Sequence, residues 1–112
     1  MKAIFVGMVK DPFVLEFEDK LENYQALVCG NIEVLTIHTK GTRSIDLIFN
    51  EEGKFIFEAP NKYINFGKKY VDDIRGNILC VAADETTGEF CDLNDEEIAW
   101  YLNWLQDDIY II

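Results

Sequence analysis

The sequence predicts an α+β fold, in which an antiparallel or mixed sheet of about six or seven short strands is covered by two principal helices. Three observations support this fold: β-rich runs separated by turn residues, an amphipathic segment at 19–29, and a second at 94–107. The chain has 112 residues, 49% of them hydrophobic, and is long enough to bury a core without disulfides or metal. We therefore expect a single domain over 1–112.

The first 30 residues predict a hairpin followed by a helix. The runs KAIFVGM and FVLEF are rich in β-forming residues and are separated by Asp11 and Pro12, so they should pair. Asp19 and Glu22 have the spacing of a capping box, and Gly30 is expected to stop the helix that they begin. The inner face of this helix should carry Leu21, Tyr24 and Val28.

The middle of the chain predicts further strands and one loop. IEVLTIHT and SIDLIF indicate two strands joined through residues 40–43, and KFIFE indicates another after the turn NEEG, where Gly53 suits a left-handed conformation. The periodic pattern of apolar residues weakens over 59–76, so we expect an ordered loop there with one short helical turn near 71–74. NILCVAAD and EFCDL predict a last hairpin.

The helix predicted at 94–107 has a well-specified start. Asn94 can cap the helix, and Glu97 lies at the position that completes a capping box. Leu93 and Ile98 occupy the positions of a hydrophobic staple across that cap. These four residue types at this spacing are typical of a helix N-terminus.

The two faces of this helix differ in composition. One apolar stripe should face the core, and it consists of Ile98, Leu102, Leu105 and Ile109. Trp100 and Trp104 fall on the opposite side. The polar residues that flank them or lie just beyond are Glu96, Glu97, Asn103 and Asp107. Either the tail IYII or the 59–76 loop folds over the two rings, or the rings and their polar neighbours form a surface that binds another chain.

The charge of the protein is concentrated near its C-terminus. The net charge is −11, and residues 1–75 contribute −2 of it, from ten basic and twelve acidic residues. Residues 76–112 contribute −9, from nine acidic residues and no basic one. Such a field repels nucleic acid and favours a basic partner, although it also serves solubility alone.

The expected compartment is the cytosol. Cys29, Cys80 and Cys91 are odd in number and widely spaced, which favours reduced thiols over a disulfide framework. The apolar run at 3–9 is too short for a signal peptide, and no segment approaches the length of a membrane span.

The sequence contains no catalytic or metal-binding motif. His38 has the same strand parity as Ile32, Val34 and Thr36, and it is interpreted as an edge-strand or satisfied histidine rather than a catalytic one. The cysteines lack the C-x-x-C spacing of a zinc site, and no phosphate-binding glycine loop is present. We therefore expect no enzyme activity, cofactor or metal.

One segment combines basic and aromatic residues, which together can hold a nucleotide by charge and stacking. The residues that could bind such a ligand are Asn61, Lys62, Tyr63, Lys68, Lys69 and Arg75. Lysines on a surface loop above buried rings give the same pattern. Both interpretations of the segment stay open.

The succession of motifs along the chain resembles a family of small bacterial proteins known only as a domain of unknown function. The motifs are MKAIFVGMVKDPFVLEFED at the start, NEEGK followed by APNKY, then DIRGNILCVAAD and LNDEEI. The resemblance covers most of the chain. It implies a setting on bacteriophages, plasmids and other mobile elements, where small acidic proteins often block host defences, and it supplies no catalytic residues.

Two functions follow from these observations. The first is a non-enzymatic accessory protein of a phage or mobile element, which inhibits or modulates a host defence protein through the acidic, Trp-bearing C-terminal helix. Its partner is expected to be a basic host protein, with a homodimer as the second option, and neither nucleic acid nor membrane is expected to bind. The alternative is a protein that sequesters a small ligand or nucleotide signal in the Lys62–Arg75 region.

Overall fold

The computed structural model describes residues 1–9, 11–67 and 71–112, and it confirms the α+β fold. Within these residues it contains nine strands and three helices. The strands are β1 (Lys2–Val6), β2 (Phe13–Glu16), β3 (Ile32–Lys40), β4 (Arg43–Asn50), β5 (Lys62–Asn65), β6 (Val71–Ile74), β7 (Ile78–Asp84), β8 (Phe90–Cys91) and β9 (Ile109–Ile111). The helices are α1 (Leu21–Val28), α2 (Gly53–Ile56) and α3 (Asp95–Trp104).

The larger sheet has six strands in the order β2-β1-β7-β4-β3, with β8 paired to β7, and all its pairs are antiparallel. The two hairpins predicted from sequence, β1 with β2 and β7 with β8, are confirmed. The two strands predicted at IEVLTIHT and SIDLIF also form, and they pair as β3 and β4. The central strand β7 is buried from Ile78 to Ala83. Both faces of this strand are covered, which explains its nearly continuous apolar sequence.

The two faces of the larger sheet support two hydrophobic clusters. Tyr24 and Val28 of α1 pack on one face, together with Leu79 of β7. Leu105 and Tyr110, from the C-terminal part of the chain, pack on the other face with Cys80 of β7. The predicted inward positions Tyr24 and Val28 are therefore confirmed, whereas the third one, Leu21, is 56% exposed.

The smaller sheet has three strands in the order β6-β5-β9, and it replaces the loop predicted at 59–76. That prediction was wrong, and so was the helical turn near 71–74, because β5 and β6 form an antiparallel hairpin. The inward positions of β5 are Lys62 and Ile64. Because one of these inward residues is a lysine, the sequence lacks the alternation of polar and apolar residues that would predict a strand. The third strand, β9, pairs in parallel with β5 from more than 40 positions away in the sequence.

The strand predicted for KFIFE was also wrong, because residues 53–56 form the short helix α2. Gly53 lies in this helix and does not have the left-handed conformation predicted for it. A Cβ atom there would lie 2.7 Å from the carbonyl oxygen of Arg75, so glycine is needed for close approach of two backbones.

The ends of α1 differ from the prediction. The helix begins at Leu21, and Lys20 at the N-cap makes no side-chain capping bond, because a lysine side chain has no acceptor. Asp19 accepts a hydrogen bond of 2.5 Å from the Tyr24 hydroxyl. At the other end the left-handed residue is Cys29, with φ of 64°, rather than Gly30. The predicted capping box was wrong because the Asp19 carboxylate accepts from the hydroxyl of Tyr24, a residue of the same helix, instead of from the backbone of its first turn.

The Asn50 side chain satisfies the C-terminal carbonyls of α1. Its Nδ2 donates to the carbonyl oxygens of Val28 and Cys29, both at 3.1 Å, and its Oδ1 accepts from the Glu52 N–H at 2.8 Å. A Cβ atom on Gly30 would lie 2.7 Å from this Nδ2. Glycine at position 30 therefore makes room for the amide that ends the helix.

We expect Asn50→Ala to lower the free energy of unfolding by about 2 kcal/mol, because it leaves buried backbone groups without a partner. Urea denaturation measures this change. The matched control is Asn31→Ala, since Asn31 is exposed and makes longer hydrogen bonds of 3.3 Å to Gln25 and Glu51. An equal decrease in the free energy of unfolding in both variants would contradict the role given to Asn50.

Candidate interaction site between strand β3 and helix α3

The N-terminus of α3 forms as the sequence predicts. The Asn94 side-chain oxygen accepts from the Glu97 N–H at 2.8 Å, and the Glu97 carboxylate accepts from the Asn94 N–H at 2.9 Å. Leu93 is buried and Ile98 is half-buried in the same core cluster. The helix ends at Trp104 rather than at 107.

The Glu97 carboxylate also binds Arg43 of β4. The guanidinium Nε lies 2.8 Å from Glu97 Oε2, and Nη2 lies 2.7 Å from Oε1. Arg43 Nη2 donates further to the carbonyl oxygen of Asp92 at 2.7 Å. The guanidinium holds the pKa of Glu97 below its ordinary value, while the carboxylate raises the pKa of Arg43. Glu97 is thus engaged within the chain.

The two tryptophans have different surroundings. Trp100 is 64% exposed, whereas Trp104 is half-buried and stacks on Tyr110 of β9 with ring centroids 4.7 Å apart. The Tyr110 hydroxyl donates to the carbonyl oxygen of Leu105 at 2.9 Å, which fixes the tail under the helix end. The C-terminal tail therefore covers Trp104 and leaves Trp100 open to solvent.

The tail also changes the predicted core stripe. Ile98 and Leu102 are half-buried and Leu105 is fully buried in the cluster, as expected. Ile109 was placed in this stripe, but it lies on β9 and is 51% exposed. A helical wheel does not apply beyond the end of the helix, and in the alternating pattern of β9 the inward residue is Tyr110.

A bulge in β3 brings His38 to the face of the sheet that α3 covers. Thr36 pairs with Asp46 and His38 with the next residue of β4, Ile45, so Ile37 is the extra residue. The His38 side chain therefore lies on the opposite face of the sheet from Thr36, whereas its parity in the strand predicted the same face. No sequence pattern indicated this bulge.

His38 contacts two aromatic side chains of α3. Its Nδ1 lies 2.5 Å from the hydroxyl oxygen of Tyr101, and its ring meets Trp104 edge-on with centroids 5.5 Å apart. Burial raises the pKa of Tyr101 to about 12, so this hydroxyl keeps its proton at neutral pH. His38 is a satisfied histidine, as the sequence analysis favoured.

A cavity of about 510 Å³ lies between the end of β3 and the first turns of α3. Its strand side is lined by His38, Thr39 and Lys40, and its helix side by Glu96 and Trp100. Two residues of the predicted partner-binding set, Glu96 and Trp100, thus meet strand residues that sequence reasoning did not connect with them. The cavity forms only where β3 and α3, which are distant in the sequence, come together, so no local motif predicts it.

Asn103 and Asp107, the remaining members of the predicted partner-binding set, are exposed on or just beyond α3. Neither lines the cavity. The structure therefore gives the predicted surface one exposed aromatic residue, Trp100, with polar residues on both sides of it.

The basic segment predicted to bind a ligand is built into the fold. Asn61 donates to the carbonyl oxygens of Val6 at 3.1 Å and Gly76 at 2.8 Å. Lys62 is 8% exposed and donates to the Gln106 carbonyl oxygen at 3.2 Å. Both side chains therefore hold neighbouring segments together.

Two further members of this basic segment, Tyr63 and Arg75, line one open cavity of about 290 Å³ together with Lys54, Asp72 and Asp73. Arg75 donates to the carbonyl oxygen of Phe57 at 3.1 Å and pairs with Asp73 at 3.3 Å. Tyr63 is exposed on the outer face of the smaller sheet. Lys68 and Lys69 lie outside the described residues.

The described residues contain no group of three or more His, Cys, Asp or Glu side chains arranged to hold a metal ion. The three cysteines are free thiols. In residues 1–9, 11–67 and 71–112, every helix falls short of the length and apolar character needed to cross a membrane.

Comparison with known proteins gives one match. A family model described as Domain of unknown function (DUF3846) matches residues 1–106. Neither a curated protein nor a solved structure matches the chain. The match confirms the resemblance to a family of unknown function, while the setting on phages and plasmids stays a prediction.

We expect the ion pair of Glu97 to make stability depend on pH. Its pKa is lowered in the folded state, so its stabilising contribution is present above the unfolded pKa, about 4.3, and is lost as the pH falls below that value. Glu97→Gln keeps the capping acceptor and removes the charge. The difference in unfolding free energy between wild type and Glu97→Gln should therefore shrink below about pH 4.

Urea denaturation from pH 7 to pH 3 measures this difference. Glu96→Gln is the matched control, because Glu96 is exposed and makes no ion pair in the described structure. If the difference in unfolding free energy between wild type and Glu97→Gln does not change with pH, the charge of Glu97 does not have the stabilising role given to it.

The two tryptophans should give distinct fluorescence. Trp104→Phe leaves the exposed Trp100, whose emission should be red-shifted and readily quenched by acrylamide. Trp100→Phe leaves the stacked Trp104, whose emission should be blue-shifted and shielded. Iodide should quench Trp100 less than acrylamide does, since carboxylates nearby repel the anion. Equal quenching of both variants at low protein concentration would contradict the arrangement of the tail.

Proposed function

The chain belongs to the DUF3846 family. From the exposed face of α3, and from the setting that the resemblance of the sequence motifs implies, we propose that the protein is a non-enzymatic accessory protein of a phage or mobile element. In this proposal it inhibits or modulates a host defence protein in the bacterial cytosol by binding it through the outer face of α3. The family itself carries no activity to transfer. Support therefore comes from the exposed face of this helix.

The exposure of Trp100 is the observation that carries the proposal. Its ring is 64% exposed, although the helix that bears it is held by a capping box and by the Arg43 pair. A large aromatic ring on a rigid helix loses little conformational entropy on binding, which is the property of an anchor in a protein interface. Solvation of such a ring has no structural benefit for the chain itself.

Charge favours a basic partner. Residues 76–112 carry nine acidic and no basic residues, and the exposed Glu96 lines the same cavity as Trp100. The field of these carboxylates would speed the approach of a Lys/Arg-rich surface, including one that normally holds nucleic acid. A homodimer through the same face would bring like charges together, so a basic host protein is the preferred partner.

The alternative, a protein that sequesters a nucleotide signal, draws less support from the geometry. It needs the cations of the Lys62–Arg75 region to be available to a ligand. Lys62 and Arg75 instead hold carbonyl oxygens and carboxylates of the chain. Releasing either of them would leave partly buried carbonyl oxygens without partners, which costs free energy.

We expect Trp100→Ala to abolish capture of the partner from host lysate, and to weaken binding of the purified partner by roughly thirtyfold or more, as loss of an interface anchor does. The matched control is Leu21→Ala, since Leu21 is an exposed apolar residue on α1, on the other side of the larger sheet. Calorimetry at two salt concentrations should show weaker binding at the higher one. Equal binding by both variants would refute the role of α3.

A further inference from the structure

Strand β3 forms one edge of the larger sheet. It is nine residues long, contains no proline, and pairs only with β4 within the described part of the chain. Six of its side chains are exposed, among them Glu33, Val34 and Thr39. Alternate N–H and C=O groups of an edge strand point away from its neighbour, so this edge can accept a further strand.

Two cavities border this strand on the face that α3 covers. The first is about 340 Å³ and lies beside Glu33, Val34 and Leu35, where Phe55 of α2 and Phe66 complete its wall. The second is the cavity of about 510 Å³ beside His38, Thr39 and Lys40, where α3 completes the wall. An extended chain along the edge of β3 would pass both openings.

The first cavity has acidic walls. Among the residues that line it, Lys54 and Arg75 form ion pairs with Asp72 and Asp73. Glu33 and Glu51 also line it, so the described lining carries two more acidic than basic residues. A long basic side chain can place its apolar stem against the aromatic wall and its charge near these carboxylates.

The second cavity has a different character. Lys40 and Arg43 balance Glu96 and Glu97 in its lining, so its net formal charge is zero. Trp100 contributes an exposed ring to the wall. An uncharged aromatic or aliphatic side chain suits this cavity, because it buries apolar surface on the ring without leaving a charge unpaired.

The spacing of the cavities fits one extended segment. Glu33 lines the first cavity and His38 the second, and both side chains point to the face that α3 covers, because they pair with Phe49 and Ile45 of that face. They are five positions apart, and the bulge at Ile37 takes up one of these. The separation is then about four strand steps, or about 13 Å. Side chains four residues apart in an extended strand point to the same face, so two of them can enter the two cavities together.

We propose that the edge of β3 receives an extended segment of the partner as an added antiparallel strand. In this segment an uncharged aromatic or aliphatic residue enters the cavity beside Trp100, and a basic residue four positions later enters the cavity beside Glu33. The antiparallel direction continues the pairing of the whole larger sheet. The inference rests on the proposed function, because it describes how the same partner is held.

A basic partner segment fits this edge better than a second copy of the chain. Each copy has a net charge of −11, and pairing two β3 edges would bring two α3 helices with their carboxylates near each other. Like charges would oppose that association, whereas a basic segment is attracted.

The test uses a synthetic nine-residue peptide of mainly threonine and valine, with phenylalanine at its third position and arginine at its seventh. We expect saturable binding by calorimetry, and protection of alternate backbone amides within 32–40 from hydrogen exchange. A second peptide has the same side chains but N-methyl groups on the amides that should pair. It should bind at least about tenfold more weakly, because each lost bond leaves a carbonyl of β3 unpaired.

The outcomes separate this inference from the proposed function. Absence of binding, or equal binding of the two peptides, overturns the edge pairing, and capture of the partner through Trp100 is unaffected by that result. The edge pairing with a partner is also overturned if the β3 amides are protected from hydrogen exchange without peptide and the protein sediments as a dimer. In that case a second copy of the chain occupies the edge. If the N-methyl groups weaken binding but Trp100→Ala does not, the edge pairing stands and the anchor role in the proposed function fails.

Discussion

The bidentate pair between Arg43 and Glu97 is the interaction on which the arrangement of the site depends. Arg43 begins β4, beside the end of the edge strand β3, and Glu97 lies in the first turn of α3. Two hydrogen bonds between opposite charges fix both distance and direction, which one bond would not. Because Glu97 also closes the capping box, the pair fixes the start of the helix over the sheet, and with it the orientation of Trp100.

The C-terminal tail distinguishes two tryptophans that a helical wheel treats alike. β9 pairs in parallel with β5, and this pairing places Tyr110 in the core beneath the end of α3. Trp104 stacks on that ring and becomes part of the fold, while Trp100, one turn earlier, is beyond its reach. The surface available to a partner is therefore narrower than the composition of the helix implies, and it is centred on one ring.

Internal pairing limits what the charged residues can do. Lys62 contacts the Gln106 carbonyl and lies near the Tyr110 ring, so a cation that resembles part of a ligand site serves to hold the tail. Arg75 in the same way joins the residues after α2 to β6. An ionised side chain that is mostly removed from water needs such partners, and once it has them it has little capacity left for a ligand.

The sequence by itself determined the elements whose causes are local: two hairpins, the strands β3 and β4, the capping box of Asn94, and the inward residues Tyr24 and Val28. Turn residues and caps act over two to four positions, so their chemistry is visible in a short window. Only the tertiary structure decided the pairing of β9 with β5, the bulge that turns His38 toward α3, and the close approach at Gly53. Each of these depends on groups that are distant in the chain, and their free energy comes from contacts that exist only after the segments have met.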